Sequence, residues 1–202
     1  MDNKKIFNGL AQSYINEWDN SIKEKKNIKK IIELSNLKKG LTVIEPGCGK
    51  GDFSIYILNK IGKKGFLYAI DLADKMLKYA KEKLKKYKNA KIINCDAKKI
   101  KLKSEIADRI ICFNCFPHFY PKEKYIKEFF RLLKKDGYLI ICHSVSRKKI
   151  NLLHKNYGFD MKKHNLPSIK EIKNLIQKYD LKLYFTIVFW FKIAAIKMIF
   201  LS

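Results

Sequence analysis

The chain has 202 residues, 47% of them apolar and 31% charged, enough apolar surface to bury a core and too much for a disordered chain. Basic residues number 44 against 19 acidic ones, a formal net charge of +25. Only three of them are arginine (Arg109, Arg131, Arg147), so the forked cation that reads nucleic acid is scarce and a nucleic-acid partner is not expected.

Residues 1–25 carry Phe7, Leu10, Ala11, Tyr14 and Trp18, and read as a short amphipathic lid. Tyr14 and Trp18 are the aromatics expected to close over a bound ligand. Ile28, Ile31, Ile32 and Ser35 form a helical stripe before a first strand at Val43 and Ile44. That strand runs into Glu45-Pro46-Gly47-Cys48-Gly49-Lys50-Gly51 and then a segment with Phe53, Ile57 and Ile61 at helical spacing. A strand ending in a glycine turn that opens a helix lets the backbone approach a nucleotide-like ligand without Cβ clashes. Dinucleotide turns carry Gly-x-Gly-x-x-Gly and face a pyrophosphate. Here the third glycine comes one residue early, and Glu45 would repel phosphate but suit a cation.

Residues 65–71 read as a second buried strand ending at Asp71, which lies 20 positions after Gly51. A carboxylate at that separation meets ribose hydroxyls in α/β nucleotide folds. A third strand ends at Asp96-Ala97, and a fourth, residues 108–113, runs into Asn114-Cys115-Phe116-Pro117-His118. A helix with Ile126, Phe129, Phe130 and Leu133 precedes a fifth strand ending at His143. Ser168 and Glu171 are spaced as a capping box that opens a last helix.

Four of these segments, in this order, resemble the motifs of class I S-adenosylmethionine (SAM) methyltransferases. The glycine turn is similar to the family's (Asp/Glu)-x-Gly-x-Gly-x-Gly, and residues 71–80 to its D-x-S-x-x-M-L-x-x-A. Residues 131–141 resemble its R-x-L-K-P-G-G turn into strand five. The opening residues are similar to methyltransferases of the quinone-biosynthesis group. The resemblance covers roughly residues 5–145. It implies an α/β, Rossmann-like, doubly wound sheet of seven strands in the order 3-2-1-4-5-7-6, mostly parallel with an antiparallel last strand. It also implies that SAM is bound by Glu45, Gly47, Gly49, Gly51, Asp71, Leu72, Met76, Asp96, Ala97 and Asn114, with S-adenosylhomocysteine as product. The division expected is a lid (1–25), a cofactor-binding core (40–145) and an acceptor-side segment (146–202) within one domain.

The acceptor is expected to be a small molecule. Histidine is the side chain suited to take a proton near neutral pH, and His118, His143 and His154 are the candidates, with Phe116 and Asn151 as further acceptor-side residues. Each could equally cap or pack, and His164, in a lysine-flanked loop, reads as structural. No Cys or His spacing suggests a metal site. The five cysteines, an odd number, suit a reducing, cytoplasmic setting. No transmembrane segment is expected, because the longest uncharged C-terminal run (residues 183–191) is nine residues, short of the roughly 20 a spanning helix needs. That region reads as two strands. A homodimer is compatible with the sequence. The rival readings are an RNA or DNA methyltransferase and a SAM-binding protein without turnover.

Overall fold

A computed structural model describes residues 3–13, 22–177, 182–188 and 191–197, which fall into two compact units divided between Ala97 and Lys98. Tyr14 and Trp18 lie outside the described residues.

In the first unit, three parallel strands lie in the order β3-β2-β1: β1 (Thr42–Pro46), β2 (Phe66–Asp71) and β3 (Ala90–Asn94). Parallel neighbours need crossover connections, and α3 (Asp52–Ile61) and α4 (Asp74–Leu84) supply them. These follow α1 (Asn3–Ser13) and α2 (Ile22–Leu34). Helix α3 buries Phe53, Ile57, Leu58 and Ile61, one apolar stripe at helical spacing. It ends at Gly62, whose left-handed φ of 64° directs its N–H to the Leu58 carbonyl. Its start is set by Gly51 (φ 79°), where an added Cβ would come within 3.4 Å of Ala80 on α4. Register pairs Pro46 with Ile70 and Asp71 with Asn94, so the ends of all three strands meet.

The second unit contains β4 (Ala107–Phe113), a 3-10 turn (Phe116–His118), α5 (Lys122–Leu132) and β5 (Leu133–Cys142). Then come α6 (Arg147–Asn156), the single-turn α7 (Met161–His164) and α8 (Ile169–Ile176). Ile110, Ile111 and Cys112 are consecutive and all fully buried, so β4 is covered on both faces, as parallel strands are. The capping box forms as expected: Ser168 Oγ accepts from the Glu171 N–H, and the Glu171 carboxylate accepts from the Ser168 N–H.

The expected seven-stranded sheet with an antiparallel last strand is corrected at its outer edge. The doubly wound part has five strands, β1 to β3 paired parallel within the first unit and β4 with β5 paired parallel within the second. Beyond it the backbone forms a hairpin of β6 (Lys182–Val188) and β7 (Phe191–Lys197), with β7 set antiparallel to β5. The physical reason is the connection: a link as short as that between β6 and β7 cannot make the crossover a parallel strand requires, so these two strands pair antiparallel.

Between β3 and β4 the chain has no helix, and Arg131 on α5 secures residues 100–104 in its place. Its guanidinium donates to the carbonyls of Ile100 (3.0 Å) and Leu102 (2.9 Å) and to both carboxylate oxygens of Glu128. Glu128 in turn accepts from the Ile100 N–H at 2.7 Å. Arg131→Ala is expected to cost about 2 kcal/mol, because it strips one charged partner from several backbone groups at once. A urea titration in which the variant's midpoint matches that of the parent protein would contradict this.

Candidate functional site

The glycine turn of the first unit is held open by its own sequence. Gly47, Gly49 and Gly51 all take left-handed φ values, 71°, 53° and 79°, which other residues adopt only with strain. The turn is tied down from β2: Gly47 N and Cys48 N donate to the Ile70 carbonyl, and Gly49 N donates to Asp71 Oδ2 at 2.8 Å. Asp71 Oδ1 accepts from Ala73 N, also at 2.8 Å. Burial pushes the Asp71 carboxyl above its usual range, against the pull of the Ala73 and Gly49 N–H groups. Asn94, opposite on β3, donates to the Asp71 and Leu72 carbonyls and fixes the same corner.

Glu45, at the end of β1, is only 2% exposed and accepts a short hydrogen bond from Ser54 Oγ on α3. Burial raises its pKa to about 8, the Ser54 hydrogen bond opposes this, and Asp71 and Asp52 add to it. At neutral pH this carboxyl is mostly protonated, and an arriving cation would favour its ionised form.

These residues fit SAM. An added Cβ at Gly49 would meet nothing within 4 Å, so the loop borders open space where a ligand can touch backbone. The backbone N–H groups of Gly49, Leu72 and Ala73 are directed at the Asp71 carboxylate, whose roughly four acceptor positions leave room for a ribose hydroxyl. Asp96 and Leu72 are half-buried and Ala97 is buried. Met76 has a packing role: with Ala11 and Ala73 it forms an apolar contact on which Phe7 and Leu10 of α1 rest. Lys50 was not singled out by its sequence, yet it is buried within the turn. Its Nζ has no hydrogen-bond partner among the described residues and lies 4.7 Å from the Tyr79 ring centroid.

In the second unit all four histidines of the chain converge. His118, at the end of the 3-10 turn, places its Nδ1 3.1 Å from His164 Nδ1, so one ring donates and the other accepts. The His118 ring centroid is 4.7 Å from that of His154, and Phe159 lies 5.0–5.5 Å from the rings of His118, His154 and His164. His154 Nδ1 lies within hydrogen-bond distance of the His164 carbonyl. That nitrogen therefore carries the proton, and Nε2 keeps its lone pair. His143 follows β5 and is buried, its Nε2 without a hydrogen-bond partner among the described residues. Burial lowers every one of these pKa values, with mutual repulsion among the rings adding to it. For His143 the value falls to about 3. Among the described residues no group of three or more His, Cys, Asp or Glu is arranged to hold a metal ion.

The remaining candidates serve the scaffold. Phe116 is fully buried and packs edge-on against Phe119, which leaves its ring no surface for an acceptor. Asn114 (φ 53°) clamps the end of β4 to the residue after His143: its amide donates to Ser144 Oγ at 3.0 Å and its carbonyl accepts from Ser144 N at 2.8 Å. Asn151 does the same between α6 and Leu166, using both ends of its amide. His164 is the participant that its sequence setting hid. The available signal was Asp160, which caps a one-turn helix by accepting from Lys162 N and so turns His164 inward.

A family model described as a methyltransferase domain matches residues 37–184. Demethylmenaquinone methyltransferase of Staphylococcus aureus is 22% identical over 160 residues, 78% of this chain and 66% of that protein. The chain thus spans just under two thirds of that relative's length. A SAM-dependent methyltransferase from Aquifex aeolicus superposes with a TM-score of 0.75 at 23% identity, covering 98% of this chain and 100% of that one. The YcgJ protein of Bacillus subtilis does so with a TM-score of 0.69 at 17% identity over 81% and 71% of the two chains. No helix among the described residues is long and apolar enough to cross a membrane. With the family model spanning well over half of its length, the chain belongs to the methyltransferase domain family.

Proposed function

We propose that this chain methylates a small organic acceptor, that SAM is held by the glycine turn, and that a histidine takes the acceptor's proton. The observation that carries the donor side is the turn itself: three left-handed glycines, fixed by Asp71, next to a buried carboxyl that gains from a cation. In this reading Glu45 and the turn hold the methionine portion, Asp71 the ribose, and Asp96 with Ala97 the adenine. Bound SAM supplies a methyl group already activated on a sulfonium. The chain then has to position an acceptor, exclude water and receive a proton. His154 is the preferred receiver, because its Nδ1 is committed to a carbonyl and its Nε2 lone pair is available.

Three features favour a small acceptor over a nucleic acid. The S. aureus relative is named for a small-molecule acceptor. The basic charge is almost all lysine. The three arginines are committed within the fold: Arg109 stacks 4.2 Å over Tyr138, Arg131 holds residues 100–104, and Arg147 donates to the Leu166 carbonyl at 2.8 Å. None is left to present a fork to a base or phosphate.

The test is calorimetric first. SAM binding at pH 7 should release close to one proton, and affinity should rise about tenfold per pH unit from pH 6 towards 8, as Glu45 is converted to its carboxylate. Glu45→Gln should flatten that slope. Transfer of tritiated methyl from SAM should then label small-molecule extract and not total RNA. A pH-independent affinity with no proton release would remove Glu45 from the site, and label in RNA would overturn the acceptor class.

A further inference from the structure

The start of α5, together with α7 and α8, encloses a groove of about 510 Å³ in the second unit. Lys122, Glu123, Lys162, Asn165, Glu171 and Asn174 line it. Lys122 is the anomaly. The residue is only 8% exposed, and among the described residues its side chain makes no hydrogen bond or ion pair. It is the first residue of α5, where the helix dipole is positive and Pro121 provides no side-chain cap, so a buried cation there is disfavoured twice. Burial pushes its ammonium pKa down, while Glu123 and Glu171 only partly offset this. Glu171 is already committed, to the Ser168 N–H at 2.6 Å and to Arg147 at 3.9 Å.

The surroundings suit an anion. The ammonium of a largely buried lysine, the N–H groups of a helix start without a side-chain cap, a second lysine at the rim and two side-chain amides all offer positive charge or donors to one groove. Glu123 and Glu171 on the same walls would repel a dianion far more than a monoanion. We propose that this groove binds the carboxylate group of a small organic ligand, with Lys122 as its principal partner and Lys162, Asn165 and Asn174 as supporting donors. The proposal is independent of the donor reading, since carboxylate binding here is measurable without SAM.

Sodium acetate and sodium phosphate, titrated separately at constant ionic strength and followed by amide NMR, are the probes. Acetate should perturb residues of the α5 start, α7 and α8 saturably, phosphate should bind at least about tenfold more weakly, and Lys122→Met should lower acetate affinity by about tenfold or more. Lys122→Arg should retain binding within a few-fold. Lys162→Ala, an exposed position that does not threaten folding, should weaken it by about threefold. The proposal is overturned if acetate causes no saturable change up to roughly 100 mM, a weak-binding limit. Tighter binding of phosphate, or undiminished acetate binding in folded Lys122→Met, overturns it equally.

Discussion

Asp71→Ala is expected to weaken SAM binding by roughly 10²- to 10⁴-fold. The carboxylate works in two directions. Inward, it fixes the glycine turn through Gly49 N and the start of α4 through Ala73 N, both at 2.8 Å. Outward, in the proposed complex, its remaining lone pairs take the ribose hydroxyls. Hydrogen bonds to a charged acceptor contribute about 1.5–3 kcal/mol each, and two lost to the ligand correspond to the stated range at about 1.4 kcal/mol per tenfold. Loosening of the turn adds to this, since a loop with three left-handed glycines has little else to order it. Asp71→Asn keeps one acceptor oxygen and faces one backbone N–H with its own NH₂ group, so it should fall between the parent protein and Asp71→Ala. Calorimetry showing equal affinity for Asp71→Ala would overturn the ribose assignment.

Much of the donor half was legible because its determinants are local. Positive-φ glycines, the strand before them and the helix after them are encoded within residues 43–61, and periodicity places β2 and Asp71 without tertiary information. Less legible was what each side chain does once neighbours distant in sequence arrive. Asp71 reads as a ribose ligand, yet its immediate partner is Gly49, 22 residues away. Glu45 reads as a fixed negative charge, but its burial with Asp71 and Asp52 nearby makes it mostly neutral at pH 7. Met76 reads as a cofactor contact and lies in the apolar contact with α1.

The same limit shapes the second unit. Asn114, Phe116 and Asn151 occupy positions typical of acceptor contacts, but the amides bond to Ser144 and to the Leu166 backbone, and the ring packs in the core. His164 looked like a solvated loop residue because its neighbours in sequence are lysines. Its inward turn depends on a capped single turn that periodicity cannot show. At the end of the sheet the two strands within residues 182–197 and their antiparallel run are visible in sequence, whereas the expected seven strands give way to a doubly wound part of five. Lys122, near the start of a lysine-rich helix, gave no sign of being buried.

The second unit should lose stability sharply as pH falls below about 6.5, before carboxylates begin to titrate. The histidine pKa values are lowered by burial, so the folded protein binds fewer protons than the unfolded chain in the window between the lowered values and 6.5. Stability is therefore complete above 6.5 and declines as pH drops through that window. His143, at about 3 in the folded state, should alone account for about 2 kcal/mol between pH 6.5 and 5, and His118, pushed well below its usual range by burial, acts in the same direction. The groups facing the cluster reinforce the trend: Lys122 and Lys163 repel an added proton, and Asp160, opposite His164, is the counter-charge. Glu45, raised to about 8, shifts stability the opposite way over the same range, so the measurement is the difference between the parent protein and His143→Leu: lowering the pH from 7 to 5 should cost the parent about 2 kcal/mol more than the variant. A difference between the two that does not change with pH would show that His143 is solvated and not packed as a neutral ring. The array also bears on turnover. Burial lowers the imidazole pKa values, which favours the neutral rings and their lone pairs, and His154→Gln should lower kcat by about 10²-fold with SAM affinity unchanged. If His154→Gln turns over at the parent rate while His143→Leu still removes the acid sensitivity, the cluster is a structural element alone, and methyl transfer in this protein proceeds by positioning without a histidine base.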